Sequence, residues 1–101
     1  MTALFDFEWD PAKAKSNLRK HRVRFELAVS VFRDPRALTV YDDDHGEDEE
    51  RWSTLGFCET GTLLVVVHTF RAVGAEGTVK IRVVSARRAT NKEARQYEAN
   101  S

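Results

Sequence analysis

The chain has 101 residues, of which 42% are hydrophobic, and its 16 Lys and Arg balance its 16 Asp and Glu. This length suffices for one hydrophobic core and not for two, so we expect residues 1–101 to form a single domain. The sequence contains no run of roughly 20 apolar residues, as a membrane-spanning helix needs, and no signal-peptide pattern at its start. We therefore expect a cytoplasmic protein with no membrane partner. The lone Cys58 agrees with a reducing compartment, because it cannot close an internal disulfide.

The charges are segregated along the chain although their total is zero. Residues 11–24 contain six Lys and Arg and no acid, whereas residues 42–50 contain seven Asp and Glu and no Lys or Arg. Residues 71–101 are basic again, with seven Lys and Arg against three Glu. This pattern predicts basic surfaces that attract a polyanion and one acidic loop that attracts a basic partner.

The N-terminal part predicts a short strand and two helices. The strand is FDFEW, from Phe5. Asp10 is a suitable N-cap and is followed by Pro at the first helical position, so a helix is predicted from Pro11 to about His21. Apolar residues recur at helical spacing from Phe25 to Phe32, and an Asp-Pro pair at Asp34 ends this second helix.

The rest of the chain predicts four strands and a last helix. The segment from Leu63 to Val67 is apolar on both faces, as in a central strand that is covered on both sides. A hairpin turn is predicted from Glu59 to Thr62. Thr90, with Glu93 three residues later, is a suitable N-cap for a helix from Asn91 to Asn100. The predicted strands are ALTVYD, RWSTLGFCE, TLLVVVHTFR and KIRVVSA.

These elements predict an α+β fold. It consists of a mostly antiparallel sheet of about four strands plus the short N-terminal strand, with two N-terminal helices and one C-terminal helix, and with the helices on one side of the sheet. In KIRVV, Lys80 and Arg82 lie on one face of the strand, and Ile81 and Val83 lie on the other. We expect the apolar pair to pack against the helices.

The sequence does not predict a metal site or a cofactor. His21, His45, His68 and Cys58 show no paired ligand spacing of the kind that binds zinc. The acidic run suggests calcium as an alternative, but Gly46 stands where an EF-hand loop needs its fifth-position ligand. A solvated acidic loop is therefore favoured over a calcium site.

Several cations project from the predicted sheet and helices and could serve the cleavage of RNA. That reaction needs a base for the 2′-hydroxyl, positive charge for the phosphorane and an acid for the departing 5′-oxygen, and it does not require a metal. Arg suits the second task because its planar fork holds two phosphate oxygens. The candidates are Lys20, Arg51, Arg71, Arg82, Arg87 and Arg88, with His21 and His68 as titratable neighbours.

A structural interpretation of the same residues stays open at this point. Cations on the face of a strand are most often a solvated surface. Asn17 and His21 on an inward helix face are more often a buried hydrogen-bonded pair than catalytic groups. His68, near the end of an apolar strand, could simply be packed in the core.

Four segments of the sequence carry a family resemblance. FEWDPAKAKSNLRKHRVRFELAVSVFRDP, GEDEERWSTLGF, LLVVVHTFR and IRVVSARRATNKEARQYE together resemble the BrnT family of type II toxin–antitoxin toxins. The specific part is W-D-x-x-K-x-x-x-N-L-x-K-H combined with I-R-V-V-S-A-R-x-A. The resemblance implies a small ribonuclease of RelE-like fold that cleaves RNA without a metal and slows translation and growth.

The same resemblance implies partners. A BrnA-type antitoxin, a ribbon-helix-helix protein, would neutralise the toxin, and operator DNA would be contacted only through the antitoxin in their complex. A dimer or a heterotetramer with the antitoxin is compatible with this arrangement. The rival class is a module that binds nucleic acid or protein without cutting.

The resemblance also implies roles for the candidate residues. Arg51, Arg71 and Arg82 are expected to hold the scissile phosphate and its transition state. Proton transfer is expected from Lys20, or from His21 with His68, and flanking phosphates are expected to contact Lys80, Arg87 and Arg88. The sequence departs from the family pattern at Arg22, where the family usually has Gly, and between Ala72 and Thr78, where the loop is longer than usual.

Overall fold

Five strands and three α-helices form the part of the chain that the structure, a computed structural model, describes: residues 4–42, 50–73 and 77–100. A 3-10 helix, Val29–Arg33, directly continues the second α-helix. The other elements in chain order are β1 (Leu4–Glu8), α1 (Pro11–His21), α2 (Phe25–Ala28), β2 (Leu38–Asp42), β3 (Arg51–Phe57), β4 (Leu63–Val73), β5 (Thr78–Arg88) and α3 (Asn91–Ala99).

The predicted α+β class and order of elements are confirmed. The acidic loop and the calcium alternative fall on residues 43–49, and much of the long loop falls on residues 74–76, so both predictions lie outside the described residues. None of the described helices is long and apolar enough to cross a membrane.

The first helix begins and ends as local chemistry dictates. The side chain of Asp10 accepts a hydrogen bond from the N–H of Ala12 at 2.9 Å, and Pro11 occupies the first turn. Arg19, Lys20 and His21 lie in the last turn, where the helix dipole favours cations.

The second helix is shorter than predicted. Its α-helical part ends at Ala28, and the 3-10 helix extends the structure to Arg33. The hydroxyl of Ser30 donates to the carbonyl oxygen of Leu27 at 2.6 Å, and such a local bond competes with regular helical pairing. The helical spacing of apolar residues fits both helix types and therefore did not reveal the change.

The sheet has the strand order β1-β5-β4-β3-β2. β1 pairs parallel with β5, and every other neighbouring pair is antiparallel, so the prediction of a mostly antiparallel sheet is confirmed. β4 lies at the centre and β5 beside it. β1 covers only the first half of β5, from Thr78 to Arg82, which leaves the second half of β5 at an edge of the sheet.

The sheet is covered on both faces, and the prediction of helices on one side only is wrong. Leu64 and Val66 pack in a cluster with Phe25 of α2, whereas Val65 packs in a second cluster with Tyr97 of α3. Successive residues of a strand point to opposite faces, so α2 and α3 lie on opposite sides of β4. We call these the α2 face and the α3 face.

α3 is tied to the sheet by one carboxylate. Asp34 accepts hydrogen bonds from the hydroxyl of Tyr97 at 2.6 Å and from the N–H of Phe57 at 2.9 Å. These bonds join the end of the 3-10 helix, β3 and α3. Tyr97 belongs to the C-terminal half of α3, so these bonds fix that half of the helix against β3, and α3 covers only part of the α3 face.

Candidate nucleic-acid interface

The uncovered part of the α3 face contains a cleft of about 330 Å³ at the β1–β5–β4 end of the sheet. We call it the arginine cleft. It is lined by Glu8, Glu50, Thr69, Phe70, Arg71, Lys80 and Arg82.

Strand register brings the cleft residues together. Arg82 is paired with Glu8 of β1 and with Thr69 of β4, and Lys80 is paired with Arg71. Directly paired residues of neighbouring strands project to the same face with Cβ atoms roughly 5 Å apart. Two guanidinium groups, an ammonium group and a carboxylate therefore share one small surface.

Lys80 and Glu8 form a contact inside the cleft. Lys80 Nζ lies 3.8 Å from Glu8 Oε1 and 3.9 Å from Asp6 Oδ2. Ion pairs of this length and exposure contribute at most about 1 kcal/mol, so a bound phosphate can replace them at little cost. Backbone hydrogen bonds hold the strands that supply these groups, and they fix the positions from which the side chains project.

Sequence analysis gave no role to the two carboxylates of the cleft, Glu8 and Glu50. The sequence did contain a signal for Glu8. Polar and apolar residues alternate in FDFEW, which places Asp6 and Glu8 on one face of the strand and the two phenylalanines on the other. Its pairing with Arg82 depends on a parallel contact between residues 74 positions apart in the sequence (82 − 8), which no local pattern encodes.

Arg51 lies beside the cleft, although it does not line it. Trp52 is paired with His68 and projects to the α2 face with it. Arg51 precedes Trp52 along β3 and therefore projects to the α3 face, as Thr69 does. Arg51 is half-buried and is paired across the strands with Asp42. The structure therefore brings Arg71, Arg82 and Lys80 into one cleft and sets Arg51 at its side.

Lys20 and His21 lie in a second location, along the open edge of β5. Together with Val84 and Ser85 they line a hollow of about 210 Å³. They also line a wider groove of about 490 Å³ between the end of α1 and the start of α3, which we call the edge groove. The edge groove is lined by Lys20, His21, Arg22, Arg87, Arg88 and Thr90. No residue lines both the arginine cleft and the edge groove.

A β-bulge sets the direction of Arg87. The register passes from Val67–Ser85 to His68–Val83, so β5 carries one extra residue, Val84. Simple alternation from Arg82 would place Arg87 on the opposite face. The bulge returns Arg87 to the α3 face instead.

Arg87 is held by α3. Its guanidinium group donates two hydrogen bonds to the carboxylate of Glu93, both 2.8 Å long. The Arg87 guanidinium lowers the pKa of Glu93 to about 2 through these bonds. Glu93 also accepts from the N–H of Thr90 at 2.8 Å and so completes the capping box predicted from the sequence. Arg87 is thus partly a structural residue, in addition to lining the edge groove.

Arg22 has an unusual backbone conformation. Its φ is 61°, the only positive φ of a non-glycine residue among those the structure describes, and its N–H donates to the carbonyl oxygen of Leu18 at 2.9 Å. Glycine is the usual residue at such a helix end, because the left-handed conformation costs other residues roughly 1–2 kcal/mol.

His68 lies on the wrong face for the predicted proton transfer. Its exposed fraction is 0%, and it packs on the α2 face between Phe32 and Phe70, at ring-centroid distances of 4.8 Å and 4.7 Å. Its Nε2 is 2.7 Å from the hydroxyl of Thr54. Burial lowers the pKa of His68 to about 4. The structure therefore favours the packed interpretation of His68 over the catalytic one, because its buried ring lies on the α2 face, away from the cations of the arginine cleft.

The described residues include no group of three or more His, Cys, Asp and Glu that is arranged to hold a metal ion. The arginine cleft combines two carboxylates with three cations. Such a set of side chains suits a phosphate group better than a divalent cation, because the neighbouring guanidinium and ammonium groups would repel the cation.

Comparisons with known proteins identify the family. Residues 9–93 match the model of a family described as "Ribonuclease toxin, BrnT, of type II toxin-antitoxin system". The chain is also similar to the ribonuclease toxin BrnT of Brucella abortus, known from a crystal structure at 1.1 Å resolution, with a TM-score of 0.53 and 22% identity. That similarity covers 88% of this chain and 100% of the Brucella chain, and it shows a shared fold. No match was found among curated protein sequences. Since the family model spans most of the sequence and agrees with the resemblance seen in its motifs, the chain belongs to the BrnT family of ribonuclease toxins of type II toxin–antitoxin systems.

Proposed function

We propose that this toxin is an endoribonuclease that cleaves RNA at the arginine cleft without a metal ion, by attack of the neighbouring 2′-hydroxyl on the phosphate. The observation that carries the proposal is the pairing of Arg82 with Glu8 and of Arg71 with Lys80 on one uncovered surface. In this reaction the 2′-oxygen forms a bond to phosphorus while the bond to the 5′-oxygen breaks. The products are a 2′,3′-cyclic phosphate and a 5′-hydroxyl end.

Arg82 and Arg71 hold the phosphate and stabilise its transition state. Negative charge builds on the phosphorane oxygens, and a guanidinium group can donate two parallel hydrogen bonds to them. Arg51 supports this field from its place beside Thr69.

Glu8 is our candidate for the general base, and Lys80 for the proton donor to the 5′-oxygen. Glu8 is paired with Arg82, and Lys80 lies two residues before Arg82 on the same strand. The attacking and departing oxygens are on opposite sides of the phosphorus, so the bound phosphate must enter between Glu8 and Lys80, whose heads are 3.8 Å apart without a ligand. A carboxylate can accept the proton of the 2′-hydroxyl as the bond to phosphorus forms. This assignment replaces the expected proton transfer by Lys20, or by His21 with His68, because Lys20 and His21 line the edge groove and His68 is buried.

The same charges support the proposal that the reaction needs no metal ion. The cations of the cleft supply the positive potential that Mg²⁺ supplies in metal-dependent nucleases. We therefore assign no step to a metal ion.

A BrnA-type antitoxin is the partner that we propose for neutralisation, by direct coverage of the arginine cleft. A cleft rich in Arg attracts an acidic or hydrogen-bonding segment, and steric exclusion of RNA needs no conformational switch. A 2′-O-methylated RNA, which lacks the attacking hydroxyl, should then slow antitoxin binding. Simultaneous binding of this RNA and the antitoxin, with unchanged affinities, would move the interface to another surface.

Analysis of the product ends tests the proposed reaction. RNA cleaved by the purified toxin should carry cyclic phosphates and 5′-hydroxyls, and Glu8→Gln should slow cleavage by about 100-fold or more while leaving RNA binding intact. The matched control is Asp6→Asn, which removes the other carboxylate near Lys80 outside the cleft lining and should cost much less. Ends with 5′-phosphates would contradict the mechanism, and full activity of Glu8→Gln would remove Glu8 as the base.

A further inference from the structure

We infer that the edge groove is a second phosphate-binding site, separate from the arginine cleft, and that Arg22 is a residue of this chain that contributes directly to it. The inference rests on the proposed function in one respect, namely that RNA is the polyanion in question. The resemblance already implies that Arg87 and Arg88 contact flanking phosphates; the structure gathers them in one groove with Arg22, to which neither the resemblance nor the proposed reaction assigns a role.

The backbone of Arg22 is the first observation. A residue other than glycine in the left-handed conformation costs stability, and such outliers are most informative where their side chains meet a site. Arg22 lies in the groove lining with Arg87 and Arg88. A Gly at this position would relieve the backbone, but it would remove a guanidinium group from the groove.

The charge of the groove is the second observation. Among the described residues no carboxylate lies within ion-pair distance of Lys20, Arg22 or Arg88, whereas Arg87 is paired with Glu93. The paired Arg87 is held in place at the base of the groove, and the other cations around it keep uncompensated charge. A group of cations with this arrangement concentrates anions.

The position of the groove indicates how it relates to the cleft. Arg82 of the cleft and Arg87 of the groove belong to the same strand, and their partners on β4, Thr69 and Val65, are four residues apart because the bulge takes Val84 out of the ladder. The two backbones are therefore separated by roughly 13 Å, since a strand rises about 3.3 Å per residue. The hollow lined by Lys20, His21 and Ser85 lies along this path. A single strand of RNA can therefore contact the cleft with one phosphate and the edge groove with another.

The lining of the groove favours a nucleic-acid backbone over a protein partner. Protein interfaces depend on buried aromatic and apolar anchors, whereas binding to a phosphate backbone depends on cations. None of the exposed large hydrophobic side chains of the described residues belongs to the edge groove; they are Phe5, Val40, Tyr41, Phe57 and Phe70.

The test separates the side chain of Arg22 from its backbone. Arg22→Gly and Arg22→Asn both remove the charge and both tolerate a positive φ, so their melting temperatures should rise by a few degrees. Their affinity for a single-stranded 2′-O-methyl RNA of about 20 nucleotides should nevertheless fall by about fivefold. The slope of log affinity against log salt should become shallower by about 0.7, as expected for the loss of one phosphate contact.

Two control variants make the result specific. Arg22→Lys keeps the charge and should bind RNA nearly as well as the parent, within about twofold. Arg19→Gln removes a charge from the same turn of α1 but outside the groove, and its affinity and salt slope should stay close to those of the parent.

Three results would overturn the inference. The first is that RNA affinity and salt slope stay unchanged in Arg22→Gly and Arg22→Asn. The second is that Arg19→Gln loses as much RNA affinity as these variants. The third is that the Arg22 variants lose affinity for poly-glutamate while RNA binding stays intact. The proposed reaction has its own tests, namely the product ends and the Arg82 variants. A protein that does not cleave RNA but shows these effects of Arg22 substitution would disprove the reaction and still support phosphate binding in the edge groove.

Discussion

The side chain of Asn17 completes the hydrogen bonding of β5 where β1 ends. Its Oδ1 accepts from the N–H of Ala86 at 3.0 Å, and its Nδ2 donates to the carbonyl oxygen of Ala86 at 2.8 Å and to that of Val23 at 3.0 Å. One amide thus replaces a neighbouring strand and fixes α1 against the edge of the sheet. The relationship supports the structural interpretation of Asn17 and positions Lys20, His21 and Arg22 beside the edge groove.

Asn17→Ala should therefore destabilise the protein by about 3 kcal/mol, because it leaves three buried backbone groups without partners. Urea unfolding followed by circular dichroism measures this change. Ser16→Ala, on the preceding residue, is the matched control and should alter the free energy of unfolding by less than about 0.5 kcal/mol. Equal stability of the two variants would mean that the Asn17 bonds contribute little.

Arg82→Ala should lower the rate of RNA cleavage by about 100-fold or more, as expected for the loss of one donor to a developing oxyanion. Arg82→Lys should restore little, because an ammonium group cannot make the two parallel contacts. The side chain is exposed, so the melting temperature should hardly change. Arg95→Ala on α3 serves as the control of equal charge. An Arg82→Ala protein that arrests growth at parental expression would exclude this role.

Val83→Asp should unfold the protein rather than only inactivate it. Val83 is 1% exposed and belongs to the cluster on the α2 face, so the substitution would bury an unpaired charge. Val40→Asp is the matched control, because Val40 lies on a strand but is 61% exposed. We expect a native circular dichroism spectrum for the control and its loss for Val83→Asp. A folded, inactive Val83→Asp protein would contradict the assignment of strand faces.

His68 should make stability depend on pH below neutrality. Burial lowers the folded-state pKa of His68 to about 4, below its ordinary value of 6.5, so the unfolded chain binds a proton more readily. The stabilising effect is complete above about pH 6.5 and is lost as the pH falls toward 4. At about pH 5.5, one unit below the ordinary pKa, the free energy of unfolding should be lower by about 1.4 kcal/mol.

Urea unfolding at about pH 7 and about pH 5.5 measures the contribution of His68. His68→Leu should remove most of the difference between the two pH values, whereas the exposed His21→Gln should retain it. A parental protein equally stable at both pH values would show that His68 is not buried in its neutral form.

Much of the fold could be predicted because its signals are local. The Asp10-Pro11 pair marks the start of α1, the capping box at Thr90 marks the start of α3, and the period of apolar residues distinguishes helices from strands. The same alternation correctly separated Arg82 from Val83. The sequence did not predict that α3 covers the face of the sheet opposite α2. The side on which a terminal helix packs depends on contacts between residues far apart in the sequence, such as that of Tyr97 with Asp34.

The candidate site was predictable only in part, for the same reason. Arg71, Lys80 and Arg82 are neighbours because two adjacent strands bring them together, and their residue types and strand positions were visible. Glu8 joins them through the parallel pairing of the first strand with the last. The direction of Arg87 depends on the bulge at Val84, which breaks the alternation without any glycine to mark it.

Cleavage of RNA by the purified toxin in excess EDTA tests the central claim most directly, with Arg82→Ala and Arg95→Ala proteins assayed beside the parent. We predict that the parent and Arg95→Ala cleave at the same rate with and without the chelator, and that Arg82→Ala is slower by about 100-fold or more under both conditions. Activity that disappears in EDTA and returns with Mg²⁺, or parental activity in Arg82→Ala, would contradict cleavage by the arginine cleft alone.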